Sequence, residues 1–171
     1  MSRTFRRSGD AIRVTFATGE LELLRSLRDQ IHDALSHPDP DDPVYKRLFP
    51  PAVLGDPDAE RELRELLVDD LLASRRAGLD ALVALFDRAT PHRNGVRIDL
   101  VDDEPLLVLG VLNDVRLAIG ARIDIDALDR DAVAYRLALM DHLGWWQEQL
   151  LVLLDPAAGS SHPPDVTGSP G

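Results

Sequence analysis

"VLNDVRLAIGAR", residues 111–122, follows "LLVLG", residues 106–110, without a break, and the architecture turns on it. This is the most apolar run of the chain, yet it holds Asn113, Asp114, Arg116 and Arg122. At about 100° per residue, Leu107, Val108, Val111, Leu112, Val115, Leu117 and Ile119 cover most of a helix circumference. A helix apolar nearly all round is a central, buried one. Asn113, Arg116 and Gly120 fall on a common side, while Asp114 lies a quarter turn away, so Asp114 and Arg116 do not face each other. Each polar group then needs a partner from another element, because burying it alone costs several kcal/mol. A helix bearing Glu65, Asp69 and Asp70 is one candidate partner source for Arg116. The group is either a pairing that fixes helix register or a site that closes over a ligand or partner. Buried ion pairs are more often structural.

Outward from this helix, Asp102, Asp103, Glu104 and Pro105 open it, with negative charge where the dipole favours it, and Gly120 is the expected stop. Upstream, "VRIDL" (residues 96–100) alternates and reads as a short strand after a "TPHRNG" loop, residues 90–95. It is placed to pair as a third strand with an N-terminal hairpin, where Phe5, Ile12, Val14 and Phe16 alternate around the turn residues Gly9 and Asp10. From Thr18, the expected N-cap, Leu24, Leu27, Ile31 and Leu35 mark a helix that ends before "HPDPDDP", residues 37–43. "VYKRLFPP" (residues 44–51) reads as a connector. Asp56-Pro57 starts a helical pattern reaching about Arg88, long enough to predict a kink or break near Val68 or Gly78. "ARIDID" (residues 121–126) connects to a last helix over residues 131–154, whose expected apolar face holds Val133, Leu137, Met140, Trp145 and Leu150. Gly144 inside it marks close packing. The fold class expected is mainly α with a small N-terminal β-hairpin (α+β): a compact helical bundle with a short strand at 96–100. Residues 1–154 are expected to form a single globular domain. Residues 155–171, rich in Pro, Gly and Ser, are expected to be a disordered tail.

Composition narrows the function classes. The chain has 171 residues, 44% hydrophobic but only 5% aromatic, so its core must come from Leu, Val, Ile and Ala. There is no cysteine, which removes disulfides, thiolate metal sites and thiol redox switches. No apolar leader and no membrane-length apolar run is present, so a cytoplasmic protein is expected. The net charge of -11 disfavours direct DNA binding. The exception is a basic patch of Arg3, Arg6, Arg7 and Arg13 on the hairpin. The five histidines form no zinc-binding helix motif, and "HPDPDDP" fails the calcium-loop pattern, with Val44 and Pro50 where Gly and an acid belong. No phosphate-cradling loop or nucleophile elbow occurs. No catalytic residue, metal or cofactor is assigned.

Four stretches together resemble one family: "RLFPPAVLGDPDAERELREL" (47–66), "DDL" (69–71), "LNDVRLAIGARI" (112–123) and "LGWWQEQLL" (143–151). The family resembled is the AosR-like actinobacterial group, and the likeness covers about residues 3–154. The resemblance implies regulation rather than catalysis: an oxidative-stress transcription regulator that works with a sigma factor or RNA polymerase. The redox-sensing versions carry a cysteine pair that this chain lacks, so direct thiol sensing does not carry over. Asn113, Arg116 and Arg122 match the family signature, and with Asp114 they are the candidate partner- or ligand-binding residues. The leading expectation is therefore a non-enzymatic interaction module that presents an apolar or acidic patch to a basic surface. The alternatives are a nucleic-acid binder using the arginine hairpin, and a small-ligand or enzyme site around Asn113–Arg116.

Overall fold

Gly9 adopts φ 63°, and this left-handed residue lets the chain reverse within two residues so that Ser8 pairs with Ala11. The computed structural model describes residues 4–50, 55–122 and 130–155. The turn joins β1 (Phe5–Ser8) to β2 (Ala11–Ala17). Then follow α1 (Thr18–Ser36), α2 (Pro43–Leu48), α3 (Pro57–Asp87), β3 (Thr90–His92), β4 (Gly95–Leu100), α4 (Glu104–Ala121) and α5 (Arg130–Leu154). The fold is α+β and mainly helical. Its antiparallel sheet has the order β1-β2-β4-β3.

The period-2 pattern sorts the sheet into two faces. Phe5, Ile12, Val14, Phe16, Ile98 and Leu100 are buried against the helices, while Arg6, Arg13, Thr15, Arg97 and Asp99 turn away. The third strand pairs with the hairpin as expected, Val14 opposite Ile98. The "TPHRNG" segment is not a loop: β3 adds a fourth strand, and Arg93 at φ 49° begins the turn. Gly95 opens β4 by pairing with Ala17, and the position requires glycine because a Cβ there would sit 2.0 Å from the Phe16 carbonyl oxygen.

Several helix boundaries differ from expectation for identifiable reasons. Thr18 is the first residue of α1, and Ala17 is the N-cap. The Glu20 carboxylate accepts the Ala17 N–H at 2.8 Å, the reciprocal half of a capping box. The "VYKRLFPP" connector contains α2, capped by Asp42, whose carboxylate accepts the Val44 N–H at 2.6 Å. Helix α3 runs unbroken through Val68 and Gly78. Its Leu, Ala, Glu and Arg residues favour helix throughout, and Gly78 packs its bare face toward Val111. Gly120 does not end α4, which continues to Ala121. It is a packing glycine, since a Cβ there would meet the Met140 methyl at 3.6 Å.

The apolar face of α5 is rotated from the expected one. Leu139, Leu143, Trp146, Gln147 and Leu150 are buried, Leu137 is exposed, and Val133, Met140 and Trp145 are half-buried. Trp146 is the core tryptophan, fully buried with its ring 5.1 Å from Phe16 and 4.6 Å from His142. The last helix also closes over the first strand. The Gln149 side-chain oxygen accepts the backbone N–H of Thr4 at 3.0 Å and of Phe5 at 3.4 Å. The expected connector over 123–126 and the expected tail over 156–171 lie outside the described residues.

Candidate functional site

Helix α4 buries Val108, Val111, Leu112, Val115, Ala118 and Ile119, yet it is not surrounded on all sides. Leu106, Gly110 and Asn113 are exposed along one face, which corrects the expectation of a wholly buried helix. The apolar count was right and the enclosure was not: α1, α2, α3 and α5 touch α4 without closing around it.

The signature residues are not brought together at one site. Asn113 faces outward. Asp114 is buried and paired with Arg75 of α3. The Arg75 guanidinium also donates to the Leu48 carbonyl at 3.1 Å and lies 5.4 Å from the Phe49 ring centroid. Arg116 donates to the Gln147 side-chain oxygen at 2.6 Å and passes over Gly144, where a Cβ would stand 3.5 Å from the guanidinium. That glycine therefore leaves room for an arginine between α4 and α5. Arg122 stands 3.8 Å from Asp42, and its carbonyl accepts from Arg136 at 2.8 Å. Glu65, Asp69 and Asp70 do not serve Arg116; all three are exposed on α3.

The sequence offered no signal for Arg75 and Arg76, since nothing in their spacing points to the distant carbonyls they hold. Both work at helix C-termini: Arg75 on the carbonyl of Leu48 in α2, Arg76 on the carbonyl of Leu35 in α1. Cationic groups there meet the negative end of the helix dipole and unsatisfied carbonyls.

The hairpin arginines likewise divide. Arg3 lies outside the described residues, and Arg6 is exposed. Arg7 donates to the Leu153 carbonyl near the end of α5. Arg13 grips both carboxylate oxygens of Asp99, at 2.6 and 2.9 Å. The Arg13 hydrogen bond, with Arg97 and Arg6 nearby, holds the Asp99 carboxyl below its ordinary range. Two of the four arginines thus already hold internal acceptors.

Acidic residues of the "HPDPDDP" segment serve local structure. Asp39 accepts the Asp41 N–H at 2.8 Å, and Asp41 lies 3.2 Å from Lys46.

A surface that sequence reasoning missed is the first half of α3. At about 1.5 Å per residue, its 31 residues span roughly 46 Å, against roughly 27 Å for the 18 residues of α4. The buried residues Leu79, Leu82, Leu85 and Phe86 all belong to the second half. The first half carries Leu63, half-buried, with Leu66 at 73% exposure, Leu67 at 45% and Leu71 at 47%. On a helical wheel these four leucines span an arc of about 140°. Beside them Glu62, Glu65 and Asp69 form a ridge at spacings of three and four residues. Beyond the ridge lies a cleft of about 320 Å³ lined by Pro40, Tyr45, Arg64, Glu65, Val68 and Asp69. Leucine periodicity was the available signal, but it reads identically for a core face and for an open one.

The family model described as "Domain of unknown function (DUF2017)" matches residues 2–154, and the chain belongs to that family. No curated protein matches the chain, and no solved structure does. No helix among the described residues is long and apolar enough to cross a membrane.

Proposed function

We propose that this DUF2017 member is a non-enzymatic regulatory module of the cytoplasm that works by docking on another protein. The observation that carries this proposal is the open leucine face of α3. Three large side chains there, Leu66, Leu67 and Leu71, stand 45–73% exposed on one helix. Large apolar side chains grouped and exposed on one helix face are a mark of interaction sites. The polar signature of α4 supports the same view, because Asp114 and Arg116 act as internal ties that hold α3 and α5 in place. The resemblance to AosR-like actinobacterial regulators supplies the finer proposal: a sigma factor or RNA polymerase subunit as partner, in a stress response. With no cysteine in the chain, the signal must reach it by a route other than thiol oxidation.

The test is affinity recovery of the tagged protein from its host's lysate with nuclease present, beside a Leu66→Ser/Leu71→Ser variant. The proposal expects a transcription component that accompanies the native chain and is lost with the variant. Recovery of the same proteins with both chains would refute docking through α3. Leucine-dependent recovery of unrelated proteins would refute the transcription assignment alone.

A further inference from the structure

We propose that the segment received by the first half of α3 is a basic amphipathic helix of a partner protein. This rests on the interaction-module proposal and specifies its surface and the chemistry of what binds there. Residues 57–74 form a single helical arm roughly 27 Å long. Its leucines sit at 63, 66, 67 and 71, the spacing by which one helix seats another. A partner helix of four to five turns, roughly the same length, would cover the stripe.

The charge of the partner follows from the ridge. The arm's own cations are engaged locally, Arg61 with Asp58 and Arg64 with Glu60. Among the described ion pairs, none involves Glu62, Glu65, Asp69 or Asp70, and all four are exposed. Three carboxylates along one side of the leucine stripe, Glu62, Glu65 and Asp69, with Asp70 within it between Leu66 and Leu63, select a segment with leucine-like side chains on one face and Lys or Arg beside them. A long cationic side chain reaching the ridge would meet Glu65 and Asp69 at the rim of the cleft, which Tyr45 and Arg64 also line, with Arg64 drawn toward Glu60. The same carboxylates argue against a second copy of this chain as occupant, since pairing two arms brings the two acidic ridges into one interface of like charge.

The test uses the full chain and a fluorescent Leu/Lys peptide of about eighteen residues with leucines at helical spacing. An equivalent Leu/Glu peptide serves as control. The expected result is saturable one-to-one binding of the Leu/Lys peptide only, weakening with added salt. Backbone amide shifts on binding should concentrate in residues 60–74. Leu66→Ser/Leu71→Ser should weaken binding at least about tenfold, about 1.4 kcal/mol. Glu62→Gln/Glu65→Gln/Asp69→Asn should weaken it and flatten the salt dependence. Neutralising three remote exposed acids, Asp10→Asn/Glu22→Gln/Glu148→Gln, should leave it nearly unchanged. Circular dichroism confirms that each variant is folded.

Equal loss with the remote acids would overturn the proposal, because binding would then follow net charge alone. Sedimentation showing a dimer abolished by the leucine variant would also overturn it, with a second copy as the occupant. Absence of peptide binding, together with leucine-dependent recovery of a partner from lysate, would refute the basic-helix chemistry while leaving the docking function standing.

Discussion

Replacing Arg75 with Met should be among the most damaging polar changes in the molecule. The Asp114 side chain is 12% exposed, and its ion pair is to Arg75. Removing one member of a buried pair costs about 3–5 kcal/mol, because the remaining charge keeps its desolvation cost and loses its partner. Arg75 is 26% exposed, which admits some water and favours the lower end, about 3 kcal/mol. The Leu48 carbonyl loses a donor as well, worth about 1 kcal/mol. Asp114→Asn should cost less, about 1–2 kcal/mol, since the amide oxygen can still accept from Arg75, and the guanidinium that loses its counter-charge is the more exposed member and keeps the Leu48 carbonyl. The double variant should be milder than the sum of the singles by at least about 1 kcal/mol. Urea unfolding at 25 °C with an unchanged m-value measures all three, and Tm for the Arg75 variant should fall by roughly 8–16 °C. Equal losses for the two singles, or strict additivity in the double, would refute the assignment of Asp114 as a structural tie.

Other outcomes follow from particular contacts. With Trp145→Phe, the remaining Trp146 emission should be blue-shifted and shielded from acrylamide; with Trp146→Phe, the remaining Trp145 should be redder and quenched. Gly95→Ala should destabilise by about 2 kcal/mol or more, because the new Cβ collides with the Phe16 carbonyl, whereas Gly110→Ala should stabilise by about 0.5–1 kcal/mol in open space on α4. Acid stability should respond to two carboxyls. Burial pushes Glu104 upward, but its hydrogen bonds from Arg88 and the Val101 N–H outweigh this and hold it below the ordinary range; Asp99 is held low by Arg13. A lowered folded-state pKa contributes stability that is present above the ordinary carboxylate range, near pH 4, and lost as pH falls through the lowered value. Asp99→Asn/Glu104→Gln should therefore flatten the acid limb of a stability–pH curve below about pH 4, and an unchanged limb would contradict these assignments.

Alternation made β2 and β4 legible in the sequence, because each has one buried face. Strand β3 was not, since Thr90–His92 is too short for a pattern, contains Pro91, and exists by pairing with β4. The wheel of α4 correctly separated Asp114 from Arg116, yet a wheel names directions and not neighbours. Arg75 is 39 residues from Asp114, and no periodicity links them. On α5 two leucine-bearing faces compete. Which faces the sheet was settled by the fit of Trp146 against Phe16, a contact between distant elements. The leucines of α3 were visible as a helix pattern, but their exposure depends on how far α3 outreaches α1 and α4, a three-dimensional quantity.

The clasp of Gln149 on Thr4 and Phe5 has a consequence for the order of events during synthesis. Strand β1 emerges from the ribosome well before α5, with an edge that offers unpaired backbone groups. Its side-chain clasp, the Arg7 acceptor at Leu153 and the Trp146 wall beside Phe16 all come from α5, far downstream in the chain. Local helices such as α1 can form while the chain grows, but the hairpin waits more than 140 residues for its closing partner. A nascent chain paused before α5 therefore carries a half-clad sheet, and that interval is when a chaperone has most to offer it.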